Sequence, residues 1–339
     1  MFSNPLGSRP AAGAAAANVD DELRAASACD AYRGWCAGLL ATALAVDLLL
    51  AVGLHLRVDP TGAGTIAWII GAMLAVSRLL WPEREHPRTA DCLGVLAFMW
   101  LATLACGTMA TIGLRLGMPV ADRALLAVDR GAGIDSIGIA SFLADQPARF
   151  VSAMADSYNL TMPVVGIGLL VLAALGRRLE AWRGIFCYVG TLWSACLISI
   201  AVPAKGLGVW FPKELVARLP ERSATYAFGT FEAFRNSADP LFSLDVLAGV
   251  VTFPSFHVAM GLIILAMCRK LPLLLIPAGL CFILMICSTL PIGGHYVIDL
   301  VAGALLWACW FSLSRLLERD PHLKMARAAI VTRSQSASS

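Results

Sequence analysis

Apolar residues along the chain gather into eight long runs, at 36–55, 64–80, 92–114, 159–175, 184–202, 255–268, 271–290 and 296–316, separated by polar or basic connections. A helix needs about 20 predominantly apolar residues to cross the hydrocarbon core of a bilayer, so these runs read as membrane-spanning helices. The run at 255–268 is short and needs flanking residues to span. Two connections, 115–158 and 203–254, are too long to be turns between neighbouring spans and are expected to carry function. No internal repeat and no sizeable soluble domain is visible. The predicted fold class is an all-α, polytopic membrane helix bundle.

Composition agrees with this pattern. Apolar residues make up 58% of the 339, charged residues only 14%, and the mean hydropathy is +0.74, which points away from a water-soluble globule. The net charge of +3 is too weak a bias to suggest nucleic acid as a partner. Residues 1–35 are rich in Ala, Gly and Ser with an acidic cluster at Asp20, Asp21 and Glu22, and read as a disordered tail without a cleaved signal; 317–339 reads as a second tail. The ten cysteines form no C-x-x-C pair and fall mostly in or beside apolar runs, as small buried residues do. Arg78, Arg84, Arg88, Arg177, Arg178, Arg183, Arg269 and Lys270 occupy alternate connections, whereas the short connections on the other side hold only Arg57. The positive-inside rule then places both termini in the cytoplasm.

This topology brings two histidines to one face of the membrane. His257 lies at the outer start of the sixth run, in V-T-F-P-S-F-H-V-A-M, and His295 at the outer start of the eighth, in S-T-L-P-I-G-G-H-Y-V-I-D-L-V-A-G. Asp299 follows His295 by one helical turn, so its carboxylate can hold one imidazole nitrogen and raise the nucleophilicity of the other. A second histidine at a neighbouring helix start can protonate a leaving oxygen. Ser255, Gly293 and Gly294 sit where free helix N–H groups and small side chains would let a phosphoryl group approach the backbone.

P-S-F-H followed by G-G-H-Y-V-I-D-L-V-A-G resembles the second and third signatures of the type-2 phosphatidic acid phosphatase superfamily. The H-Y-x-x-D-L-x-A-G form is more similar to the branch containing inositol phosphorylceramide synthases and their bacterial relatives, which implies a bacterial inner membrane. The stretches beginning at Pro119 and Tyr158, and A-F-R-N-S before the P-S-F-H, agree with it. The resemblance implies a six-helix catalytic domain at 91–316, preceded by a two-helix membrane hairpin at 36–90. It implies His295 as the nucleophile that forms a phosphohistidine, Asp299 as its orienting group and His257 as general acid, with no metal and no cofactor. The phosphatase pattern would place Arg at position 289, where this chain has Thr289, and its first signature, K-x6-R-P, is also lacking. Other cations are then needed for the phosphate, and Arg235 and Lys205, with Lys213, are the candidates.

Three functional classes follow. A phosphotransferase would pass the phosphoryl group from a phospholipid or lipid phosphate to a polyol or lipid hydroxyl; a lipid phosphate phosphatase would pass it to water; a transporter would need polar residues through the membrane, where the spans are nearly free of charge apart from Asp47. The missing arginines lean towards the transferase. Asp47 is expected to bond to a neighbouring helix, and the Asp122-Arg123 and Asp129-Arg130 pairs, seven residues apart, to lie on a solvated or interfacial helix.

Overall fold

Runs of Ala, Leu and Met, which form helices readily and offer no polar side chain to compete for the backbone, become the helices of an all-α membrane bundle. The computed structural model describes residues 10–59, 68–75, 87–243, 247, 249–269 and 272–319. Along the chain come α1 (Pro10–Gly53), β1 (Arg57–Val58), α2 (Pro87–Gly113), the short α3 (Asp122–Gly131) and α4 (Ser136–Ala144), then α5 (Ala148–Ala174) and α6 (Arg178–Ala201). The long connection carries α7 (Lys213–Val216), α8 (Phe228–Asn236) and β2 (Leu241–Phe242), and the chain closes with α9 (Phe256–Cys268), α10 (Pro272–Thr289) and α11 (Val297–Arg319).

Five of these helices are long and apolar enough to cross a membrane: Ala25–Gly53 within α1, Arg88–Leu116 at α2, and α5, α6 and α11. They match five of the expected runs, and the shorter α9 and α10 match two more. With 13 residues, α9 rises only about 20 Å against a hydrocarbon core of about 30 Å, so it depends on its flanks as expected. The run expected at 64–80 lies outside the described residues apart from 68–75, which are helical. Exposed Leu48, Leu49, Leu273, Ile276 and Leu305 give the bundle the apolar outer surface that lipid requires.

The first helix begins earlier than hydropathy suggested. Residues 25–35, read from the sequence as part of a disordered tail, continue α1, and Ala28, Cys29 and Tyr32 are buried in the same core as Met99, Trp182 and Phe186. Polar bonds explain the extension. Tyr32 donates to Glu318 (2.6 Å) and to the Ser314 carbonyl (2.9 Å), fastening α1 to α11. Arg33 reaches fully buried Asp91 (2.7 Å), which also receives Arg178 (2.5 Å) and the Trp182 indole (2.8 Å).

At the other end α2, α6 and α10 finish while α5, α9 and α11 start, so 114–147, 290–296 and the described residues of 202–255 meet there. The two-residue strands β1 and β2 pair in parallel, Arg57 with Leu241 and Val58 with Phe242, tying the exit of α1 to the long connection.

Candidate functional site

The site forms where the entries to α9 and α11 touch. After α10, backbone bonds from Ile292 and Gly293 to the Ser288 carbonyl and from His295 to the Thr289 carbonyl make a tight turn. Gly294 has φ +72, the left-handed region that L side chains rarely adopt. Its carbonyl receives the Leu207 N–H (2.5 Å), and a side chain at Gly206 would run into that carbonyl. Ser255 donates its N–H to the Asp299 carbonyl (3.0 Å). One turn further on, Gly303 lies against the Ser255 backbone so closely that a Cβ there would overlap the Ser255 carbonyl oxygen. The glycine ending the D-L-V-A-G stretch is what lets α9 and α11 approach.

His295 is almost fully buried and held on both ring nitrogens. Nδ1 lies 2.9 Å from the Thr252 carbonyl and 3.3 Å from Asp299 Oδ2. A carbonyl oxygen can only accept, so Nδ1 carries the proton and the neutral ring is left with its lone pair on Nε2. Nε2 faces the Ser255 hydroxyl at 3.4 Å and the Tyr158 hydroxyl at 3.5 Å. Asp299 is fully buried, takes the Tyr296 N–H on Oδ2 (2.9 Å), and keeps Oδ1 without a partner among the described residues.

The second histidine stands across a small ring cluster. The His257 and His295 ring centroids are 6.2 Å apart, and His257 stacks on Tyr158 at 3.7 Å with 16° between the planes. Tyr158 also hydrogen-bonds Tyr226 of the long connection, whose phenol is pushed above its usual pKa by burial and so stays protonated. His295 Nε2, the Ser255 and Tyr158 hydroxyls and the His257 ring thus gather at one place, a set that pairs a candidate nucleophile with a second group able to carry a proton.

Two aspartates hold this frame. Asp129 accepts the N–H groups of Val297 (2.8 Å) and Ile298 (2.9 Å) at the start of α11, and is bound by the Ser136 hydroxyl. Asp122 accepts from the backbone of Lys205 (3.0 Å) and Gly206 (2.8 Å) and from the Tyr296 hydroxyl (2.9 Å), which in turn receives the Trp210 indole (2.8 Å). The reading of these residues as part of a solvated or interfacial helix holds for Arg123 and Arg130, which are exposed, and is corrected for Asp122 and Asp129, which are buried because their carboxylates satisfy backbone donors of other segments.

Of the residues singled out from the sequence, His295, Asp299, His257 and Ser255 come together. Gly293 and Gly294 adjoin them, but Gly293 packs on the Tyr158 ring, and the first N–H groups of α11 are already taken by Asp129 and Asp299. An anion cradle at that helix start is thus filled by protein carboxylates. The start of α9 differs, since its N-cap Ser255 makes no side-chain capping bond. Lys205 is paired with Glu232. Arg235 donates through Nη2 to the Gly117 carbonyl (3.3 Å), while its Nη1 is buried without an acceptor among the described residues. Lys213 starts α7, a helix of four residues. Thr252, Tyr226 and Gly303 had no assigned role in the sequence reading: the first acts through its main chain, and the others only through long-range contacts. Among the described residues no three His, Cys, Asp or Glu side chains gather in a way that could hold a metal ion.

Comparison with known proteins bears on this arrangement. A family model described as the PAP2 superfamily matches residues 123–313, more than half of the chain. Searches of curated proteins and of solved structures return no match. The matched stretch runs from α3 to α11 and so takes in Asp129, Tyr158, Thr252, Ser255, His257, His295 and Asp299 together. On this match, the chain belongs to the PAP2 superfamily, a membership that supports a phosphatase-type enzyme acting on phosphate esters.

Proposed function

We propose that the protein is a membrane-embedded lipid phosphotransferase, resembling inositol phosphorylceramide synthase, that works through a phosphohistidine on His295 at the extracytoplasmic face. The observation that carries this reading is the pair of acceptors on His295 Nδ1: with Nδ1–H held by the Thr252 carbonyl and Asp299, the neutral ring keeps its lone pair on Nε2, which faces the Ser255 and Tyr158 hydroxyls with the His257 ring 6.2 Å away between centroids. In the first half-reaction Nε2 attacks phosphorus, the N–P bond forms, and the P–O bond to the leaving alkoxide breaks as His257 gives that oxygen a proton. Asp299 stabilises the imidazolium character that develops. In the second half-reaction neutral His257 takes the proton of an acceptor hydroxyl, whose oxygen attacks phosphorus, and the N–P bond breaks.

The start of α9 and Arg235 Nη1 are the groups proposed to meet the phosphate. The preference for transfer over hydrolysis rests on position 289, where Thr289 turns its hydroxyl back to the Ile286 carbonyl (2.6 Å) and brings no cation. The preference for the extracytoplasmic face rests on charge: the opposite end of the bundle holds Arg33, Arg178, Arg183, Arg269, Arg315 and Arg319, the positive-inside signature.

The test is to incubate purified protein in lipid with a labelled phospholipid panel, with and without inositol, glycerol or ceramide, and to identify the products by mass. A new lipid phosphodiester that requires an acceptor supports the transferase. Free phosphate or phosphoalcohol in all conditions supports the alternative, a lipid phosphate phosphatase of the same superfamily. No product across the panel, with no label on His295, overturns both.

A further inference from the structure

At the end of the bundle opposite His295, α6, α9, α10 and α11 leave a cleft of about 340 Å3 between them. That volume is within the range of ligand pockets, and the cleft's depth is apolar, lined by Leu262, Met267, Trp307 and Phe311. Its charged lining is clustered by helix position. Glu180 and Arg183 lie in the first two turns of α6, Arg269 caps the end of α9, and Arg315 lies near the end of α11.

Arg183 and Arg315 both bind Glu318 (2.5 and 2.9 Å). With Glu180 and Glu318 set against three arginines, the rim keeps a net positive charge. Trp307 lies eight residues before Arg315, about 12 Å deeper along α11. Its ring lines the cleft, while its indole nitrogen is buried against the protein and has no acceptor among the described residues.

We infer that this cleft binds one anionic phospholipid of the adjacent leaflet. Its phosphate sits on Arg183, Arg269 and Arg315, and one acyl chain runs along α11 past the Trp307 ring. A basic rim over an apolar slot between membrane helices fits such a lipid better than a zwitterionic one, whose ammonium would sit among the arginines. The site is separate from the histidine pair and does not depend on which reaction that pair performs.

The test uses the full chain in zwitterionic lipid discs and titrates in phosphatidylglycerol with brominated chains, which quench nearby tryptophan fluorescence, or brominated phosphatidylcholine as control. The part of the quenching that is lost in Trp307→Phe reports the cleft. It should appear at about tenfold lower mole fraction for the anionic lipid, and Arg269→Gln, at an exposed position, should remove most of that preference. Ala266→Leu, which narrows the cleft without touching the rim, should weaken quenching by both lipids, and inorganic phosphate should not displace the anionic one. Equal quenching by the two lipids, a preference unchanged in Arg269→Gln, or displacement by phosphate alone would overturn the proposal.

Discussion

Gly303→Ala is a substitution whose sign depends on the contact between α9 and α11. In the interior of a helix, replacing Gly by Ala ordinarily stabilises by about 1 kcal/mol, because glycine loses more backbone freedom on folding. At 303 the new Cβ would overlap the Ser255 carbonyl oxygen and come within 3.0 Å of the Ser255 carbonyl carbon and 3.3 Å of its nitrogen. These are backbone atoms, fixed by the bond from Ser255 N–H to Asp299, so no side-chain rotation relieves the clash. Overpacking of this kind costs about 1–3 kcal/mol, which cancels or exceeds the propensity gain. Gly279 in α10 has nothing within 4 Å of its Cβ position and serves as the internal control. Thermal unfolding in one detergent should show Gly279→Ala equal to or above the parent and Gly303→Ala below both. Catalysis should fall further than stability, since moving Ser255 by about 1 Å relative to His295 Nε2 can cost on the order of 10²-fold in rate. A Gly303→Ala protein that is stabilised like Gly279→Ala and keeps full turnover would refute the close approach of the two helices.

Asp299→Asn preserves shape but removes the charge that holds and stabilises the His295 ring, and turnover of a phospholipid substrate should drop on the order of 10⁴-fold with the fold retained. His257→Ala should slow release of an alkoxide, and a substrate with a more acidic leaving group should recover part of the rate, measured as the ratio of the two turnovers. Asp129→Ala removes the carboxylate that caps α11 from α3, and should cost about 2–3 kcal/mol in unfolding experiments together with activity. Asp91→Ala should destabilise by about 3 kcal/mol, the low end for a buried ionic group because Arg33 and Arg178 keep 20% and 32% of their side-chain surface, while label at His295 per folded molecule stays unchanged.

The sequence made the apolar runs legible because each span had to satisfy its backbone within itself and show lipid-compatible side chains. It made His257, His295 and Asp299 legible because a one-turn spacing and two helix-entry signals are local. Other features are written in long-range contacts. The start of α1 was missed because its alanine-rich first turns have little hydropathy of their own; Tyr32 and Arg33 bind Glu318 and Asp91 across the bundle. Asp122 and Asp129 looked solvated because the pattern of a ten-residue helix does not reveal that a carboxylate will cap another helix. The Thr252 carbonyl that sets the His295 tautomer is a main-chain atom, and no side-chain motif reports it. Lys205 and Arg235 were read as candidate cations for the phosphate, but no local pattern reveals that Lys205 is paired with Glu232 or that Arg235 gives one of its nitrogens to the Gly117 carbonyl.

The measurement that tests the central claim most directly is to quench the reaction with a phosphorus-labelled phospholipid donor and locate the label. The account predicts an acid-labile, alkali-stable phosphoryl group on the peptide containing His295, absent in His295→Ala and accumulating when the acceptor is withheld. Label that persists in His295→Ala, or turnover that continues in that variant, would contradict it.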